Sequence, residues 1–223
     1  WTTGEFDENG RPVLVEEAVD LALYAVVPGP LGAHNWHPMA FNPDAGLVYI
    51  PVNEIPFFYD KTRNVEDGKS YWNIGYDAAA GWPVEYPAGT LDAVADLDGG
   101  SLLAWDPVKA EPRWAVPFAL PLNGGVLSTD AGLVFQGNKF GDLVAYDAQT
   151  GEQLWSHRLV GNAAAAPMTY EIDGEQYLSV LSGWGSASNL IAGFTYGKAA
   201  GKEPARVITF KLGGNEAMPA PLQ

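Results

Sequence analysis

Two segments of this chain are near-copies of two others, and the distances between the copies fix a structural period. Asp44-Ala45-Gly46-Leu47-Val48-Tyr49 returns as Asp130-Ala131-Gly132-Leu133-Val134-Phe135, 86 residues later. Ala104-Trp105-Asp106, followed by Trp114, returns as Ala145-Tyr146-Asp147, followed by Trp155, at an offset of 41. One 41-residue unit explains both offsets if the first copy carries 45 extra residues. The inner spacings agree, since Asp44 to Ala104 is 60 residues and Asp130 to Ala145 is 15. The excursion falls at approximately Asn53 to Gly99.

A period near 40 residues built from short strands is the mark of a β-propeller, whose blades are four-stranded sheets. Composition supports an all-β chain: 8 Trp, 10 Tyr and 9 Phe favour strands, while 26 Gly and 17 Pro supply turns. In the cleanest unit the spacing predicts strands at Gly125–Thr129, Leu133–Gly137, Leu143–Asp147 and Gln153–His157, with a turn over Asp147–Gly151. Trp155 is expected to pack between blades, and Ala145 to leave room for close approach.

This gives a partial propeller of about three to four four-stranded blades. Residues 1–31 read as a remnant of a preceding blade with its connector, and Asn9-Gly10 as a turn within it. Residues 32–117 read as a blade with the insertion at about 53–99, 118–159 as the cleanest blade, and 160–212 as a further one. In that last blade, strands flank Asp173-Gly174, and Arg206–Leu212 adds another. Residues 213–223 read as an extended tail. Closed propellers have 4–8 blades, and closure removes exposed sheet edges. The chain is therefore expected to complete a ring with another propeller chain, a second copy in a homodimer, or the rest of a longer polypeptide.

A formal net charge of −15 leaves no basic stripe for phosphates, which argues against nucleic acid and anionic membrane surfaces as partners. Without cysteine, the chain can form no disulfide, thiolate metal site, Cys nucleophile or c-type haem attachment. No apolar run reaches the roughly 18 residues of a membrane span.

The densest chemistry lies in Gly32–Pro43, where His34, Asn35, Trp36 and His37 stand side by side. By residue type the two histidines read either as metal ligands or as ordinary hydrogen-bonding groups. Asp92, Asp96 and Asp98 resemble a spaced acidic calcium loop but lack its closing glutamate, so they read as a solvated part of the insertion. Trp184-Gly185-Ser186 reads as a close backbone approach to a ligand or as a bulge. No phosphate-cradling glycine loop or nucleophile elbow is present.

Four segments, in order, resemble the C-terminal part of the propeller in pyrroloquinoline quinone (PQQ)-dependent alcohol dehydrogenases, in particular their quinohaemoprotein branch. They are Trp1–Gly4 with Gly10-Arg11-Pro12; His34–Met39; Gly132–Gly137 leading to Ala145–Trp155; and Ala166–Tyr170 through Leu181–Gly185. The resemblance implies that Asn35 and Trp36 approach the PQQ ring system, the amide bonding a quinone or carboxylate oxygen and the indole lining the site. It implies that Gly185 and Ser186 bring backbone to the cofactor edge, and that Trp114 and Trp155 dock blades. It also implies a periplasmic or secreted oxidoreductase, with a small alcohol as substrate. The family's catalytic aspartate, calcium ligands, cofactor-contacting lysine and vicinal disulfide have no counterpart here. No catalytic or metal-ligating residue is therefore assigned, and Ca2+ is expected only if the missing half is supplied. The haem domain of that branch lies outside this sequence. The family's Trp-Asn-Gly-Gly stands here as Leu122-Asn123-Gly124-Gly125, which removes an aromatic. A non-catalytic half-propeller that self-associates is the alternative.

Overall fold

The computed structural model describes residues 2–15, 23–29, 31–55, 57–60, 99–159, 161–183 and 204–216. In chain order the first strands are β1 (Thr2–Phe6), β2 (Pro12–Leu14), β3 (Leu23–Val26), β4 (Ala40–Asn42), β5 (Leu47–Asn53) and β6 (Phe57–Asp60). Next come β7 (Gly100–Asp106), β8 (Glu111–Phe118), β9 (Val126–Ser128), β10 (Leu133–Gly137) and β11 (Asp142–Asp147). The last are β12 (Gln153–Arg158), β13 (Met168–Ile172), β14 (Glu175–Ser182) and β15 (Arg206–Lys211). The described residues are all-β with no helix.

The chain divides into two compact units. One comprises Trp1–Ala33 and Glu54–Leu97. In it β1 pairs with β2, and β3 with β6, both antiparallel. The β1–β2 turn is closed by Asp7, whose Oδ1 accepts from the backbone of Asn9 and Arg11, with Gly10 in the left-handed region at φ 74°.

The other unit comprises His34–Asn53 and Asp98–Gln223, and its described residues form three antiparallel sheets. The first is ordered β4-β5-β7-β8, the second β12-β11-β10-β9 and the third β13-β14-β15. The strands of the second sheet fall within a residue of the sequence expectation. The third carries three strands among the described residues rather than four.

The second sheet holds the longest run of buried residues in any described strand. Its β11 reads Leu143-Val144-Ala145-Tyr146, four consecutive buried residues. Alternate side chains of a strand point to opposite faces. Val144 and Tyr146 join Leu47, Tyr49, Leu102 and Ala104 of the first sheet in one core, while Leu143 packs with Leu159, Ala163 and Val180 toward the third. A central blade covered on both faces needs no polar side.

The 41-residue repeat is visible as geometry. Ala104 lies opposite Trp114 and Ala145 opposite Trp155, each beside a register shift at the next residue. In both copies an aspartate then closes the turn. Asp106 Oδ1 accepts from the backbone of Val108 and Lys109, and Asp147 Oδ1 from that of Gln149 and Thr150. These backbone bonds hold both carboxyls below their ordinary range.

The tryptophans meet the neighbouring sheets. Trp114 donates its Nε1–H to the Ala148 carbonyl at 3.2 Å, and its ring covers Gly151. The Trp155 ring meets Phe210 of the third sheet edge-on, with centroids 5.4 Å apart.

Candidate functional site

Within the three-sheet unit, the segments that lead into each first strand and the corners between second and third strands gather at one end of the sheets. The aspartate turns occupy the other end. The corner positions follow from pairing: Asn53 lies opposite Gly100, Gly137 opposite Leu143, and Ser182 opposite Arg206. The insertion therefore leaves and rejoins its sheet at this end.

The middle lead-in, Leu122-Asn123-Gly124, is held by side chains buried in the sheets. Asn53 Oδ1 accepts from Leu122 N at 2.8 Å, and Gln136 Nε2 donates to the Gly124 carbonyl at 2.8 Å. Asn123 bridges outward, donating to the Leu120 carbonyl and accepting from Lys139 N. Leu122 sits in the left-handed region at φ 59°, a strained conformation for a branched side chain. Its buried N–H would be costly to leave unpaired, so the Asn53 bond stabilises the turn where it is most strained. Asn53→Ala is expected to lower stability by about 2 kcal/mol, checked by urea unfolding, because it strands that donor.

Successive lead-ins touch. Val126 N donates to the Pro38 carbonyl at 2.9 Å. A Cβ on Gly125 would lie 2.6 Å from Pro38 Cδ and 2.9 Å from Ala166 Cβ. Glycine is required there because three chain segments converge on one point.

Upstream of Pro38 stand the residues singled out in the sequence. Asn35 and Trp36 are exposed, the indole at 47%. The Trp36 ring stacks on His37, with centroids 4.7 Å apart and planes inclined by 29°. His37 is buried, and its Nδ1 has no hydrogen-bond partner. Burial, reinforced by His34 and then Lys139, holds its pKa down at about 4. His34 donates its Nδ1–H to the Pro51 carbonyl at 2.9 Å. No group of three potential metal ligands occurs among the described residues. Trp184, Gly185, Ser186 and the Asp92, Asp96, Asp98 set lie outside the described residues.

On the third sheet the same end carries a cavity of about 380 Å³ bordered by Asn162, Ala164, Ala165, Ser182, Gly183 and Arg206. Asn162 Oδ1 is buried without a partner, as are Asn53 Nδ2 and Gln136 Oε1. Sequence reasoning missed Asn53 and Gln136 as supports. Their signal is a polar residue at an inward position of an apolar strand: Asn53 continues the buried alternation of Leu47, Tyr49 and Pro51, and Gln136 that of Val134.

The lead-in to the first sheet presents an open indole and an exposed amide, and the glycines of the next lead-in let chain segments approach closely. Such a surface suits a planar, polar ligand. Asn35 and Trp36 supply no proton-abstracting group.

A set of packed antiparallel sheets, two of them four-stranded, that closes no ring among the described residues defines a segment of a β-propeller. The chain belongs to the PQQ glucose/ethanol/alcohol dehydrogenase β-propeller family, whose model matches residues 18–178. Among its relatives is the quinohemoprotein alcohol dehydrogenase ADH-IIG of Pseudomonas putida, 40% identical over 231 residues, covering 99% of this chain and 31% of that protein. The quinohemoprotein alcohol dehydrogenase of Comamonas testosteroni is also 40% identical, over 98% of this chain and 30% of its own length. The crystal structure of the Comamonas enzyme superposes with a TM-score of 0.74 at 38% identity, covering all (100%) of this chain and 32% of that one. A europium-containing methanol dehydrogenase gives 0.65 at 28% identity, over 88% of this chain and 34% of that one. The chain thus spans about a third of the length of these relatives.

Proposed function

We propose that this chain forms one wall of the quinone site in a PQQ-dependent alcohol dehydrogenase propeller that oxidises alcohols to aldehydes. The observation that carries this reading is the pair Asn35 and Trp36, exposed on a firmly anchored lead-in where the family pattern has its cofactor-facing residues. PQQ is a planar, multiply charged quinone, and a surface of indole, amide and close-approaching backbone fits it.

When bound, PQQ supplies an oxidant that takes a hydride from the alcohol carbon. Asn35 donates its amide N–H to a quinone or carboxylate oxygen, which orients the ring. Trp36 covers the ring with an apolar face and keeps water from it. The resemblance adds Gly185 and Ser186 to the residues that would meet the ring's edge. Trp114 and Trp155 hold the blades on which these residues stand. The proton-abstracting carboxylate and the calcium ligands come from the remainder of the propeller, so Ca2+ binds only in the completed ring. We place the chain in the periplasm or outside the cell on the family resemblance alone; among the described residues no helix is long and apolar enough to cross a membrane.

The test is titration of PQQ, followed by its visible absorbance, into the chain assembled with the remaining propeller segment and calcium. Asn35→Ala is expected to weaken binding about tenfold, the loss of one hydrogen bond to a charged or strongly polar oxygen. Equal affinity of wild type and Asn35→Ala would remove Asn35 from the site. An assembled ring without dye-linked alcohol oxidation would remove the enzyme reading.

A second reading draws on the outer sheet faces, which expose Phe41 on the first sheet and Met168, Ile172 and Val207 on the third. Apolar faces of this kind call for a covering sheet. A second copy in a symmetric dimer would cover them without catalysis, and sedimentation of the isolated chain as a folded monomer would reject that reading.

A further inference from the structure

Trp36 and His37 are chain neighbours with opposite fates: the indole is 47% exposed and the imidazole only 2%. An indole on a connecting segment, open on one side, keeps a fixed plane only if something rigid lies against the other. The His37 ring lies there, 4.7 Å away centroid to centroid.

His37 is itself anchored through its backbone. The next residue, Pro38, accepts from Val126 N and is pressed by Gly125, so the chain at this point is tied to the second sheet. Its Nδ1 makes no hydrogen bond although it is buried. A bond to that atom is therefore not what holds the ring in place, whereas the Trp36 stack and burial both act on it.

We infer that His37 is a positioning residue for Trp36: a buried imidazole plate that sets the plane of the indole at the cofactor wall. The inference rests on the reading of Trp36 as a wall of the quinone site and deepens it. The plate works in its neutral form. The titratable groups that act on it are His34, on its own segment, and Lys139, on the β10–β11 corner, and both disfavour a second positive charge. Protonation places a desolvated cation against the indole face and changes the stack.

The chain holds eight tryptophans, so Trp36 is isolated by subtracting the emission of Trp36→Phe from that of the full chain. Acrylamide quenching of this difference signal is then followed from pH 7 downward. His37→Ala is expected to raise the quenching constant about twofold at pH 7, as the indole gains rotamers and a second open face. His37→Phe keeps the wild-type value and loses the acid transition, which wild type shows with a midpoint near 4. Should His37→Ala not fold, His37→Gln carries the same test, since it too removes the ring.

Equal quenching in wild type and the ring-deleted variant, or an unchanged acid transition in His37→Phe, would overturn the inference. A parallel PQQ titration separates it from the site reading. If Trp36 responds to His37 while Trp36→Phe leaves PQQ affinity unchanged, His37 still positions the indole and only the assignment of Trp36 to the quinone site fails. If Trp36→Phe weakens PQQ binding while Trp36 ignores His37, only the positioning role fails.

Discussion

Alanine at Gly137 is expected to destabilise the three-sheet unit by about 3 kcal/mol, read as a lower urea midpoint at unchanged slope. An added Cβ would lie 2.3 Å from both the Cβ and the carbonyl oxygen of Ala163. Neither side can yield. Gly137 accepts from Gly124 N at 2.7 Å, which ties it to the middle lead-in. The Ala163 backbone is pressed from a second direction by Gly124, whose own Cβ would stand 2.2 Å from the same carbonyl. The clash is therefore with main chain, and relief requires the second and third sheets to separate. Ala163→Gly in the same background should recover only part of the loss, because the oxygen contact persists. Gly132→Ala is the control: its φ of 76° is strained for alanine, but nothing lies within 4 Å. It should cost about 1 kcal/mol, the left-handed penalty alone. A Gly137→Ala variant as stable as the Gly132→Ala control would refute the argument.

Trp114→Ala should cost a similar amount, about 3 kcal/mol, at the junction of the first and second sheets. The ring covers Gly151 so closely that a Cβ there would meet it at 2.7 Å. Its other side leans on Tyr49, with centroids 5.7 Å apart. Both side chains donate to one acceptor, the Ala148 carbonyl, Tyr49 from its hydroxyl at 2.9 Å and Trp114 from Nε1 at 3.2 Å. Removing the indole opens a cavity beside a fully buried tyrosine and leaves the Asp147–Gly151 turn without its cover. Trp114→Phe should keep most of the packing and lose about 1 kcal/mol with the hydrogen bond. Trp155→Ala should cost less than Trp114→Ala, since the Trp155 ring is 39% exposed and rests against Phe210 without a comparable acceptor. Calorimetry on the three variants gives the order directly, and a Trp155→Ala loss exceeding that of Trp114→Ala would contradict it.

These two sites also show what the chain discloses before it is folded. The 41-residue offset relates Ala104 to Ala145, Asp106 to Asp147 and Trp114 to Trp155, and each pair repeats the same pairing or turn. Legibility is high because those positions are set by strand alternation and by one carboxylate capping two N–H groups, rules that act over a few residues. The exposed Asn35-Trp36 pair was legible as unusual chemistry, and the family pattern is what suggests a cofactor-facing role for it. The supports behind it were not. Asn53 meets Leu122 across 69 residues, and Gln136 bonds a lead-in carbonyl 12 residues back, so their roles depend on which chain ends the sheets bring together. His37 looked like one of two equivalent histidines. Burial separates them: His34 bonds a carbonyl while His37 becomes the plate beneath an indole. That the third sheet carries three strands among the described residues was equally invisible, because nothing in β13 to β15 marks them as fewer than four.

The contacts between successive lead-ins bear on how the chain reaches its folded state. Val126 N finds its acceptor on Pro38, and Asn42 reaches Ser128 and the Thr129 carbonyl, so the first strand of the second sheet is bonded to the sheet before it. Gly125 N likewise reaches the Ala164 carbonyl. Each completed sheet thus presents a template on which the next begins, and coupling runs between nearest neighbours as in a linear array. In such an array the stability of each sheet depends on the sheets beside it, and the second sheet packs against the first on one face and the third on the other. Amide exchange should therefore be slowest in β10 and β11, the inner strands of the sheet that is packed on both faces.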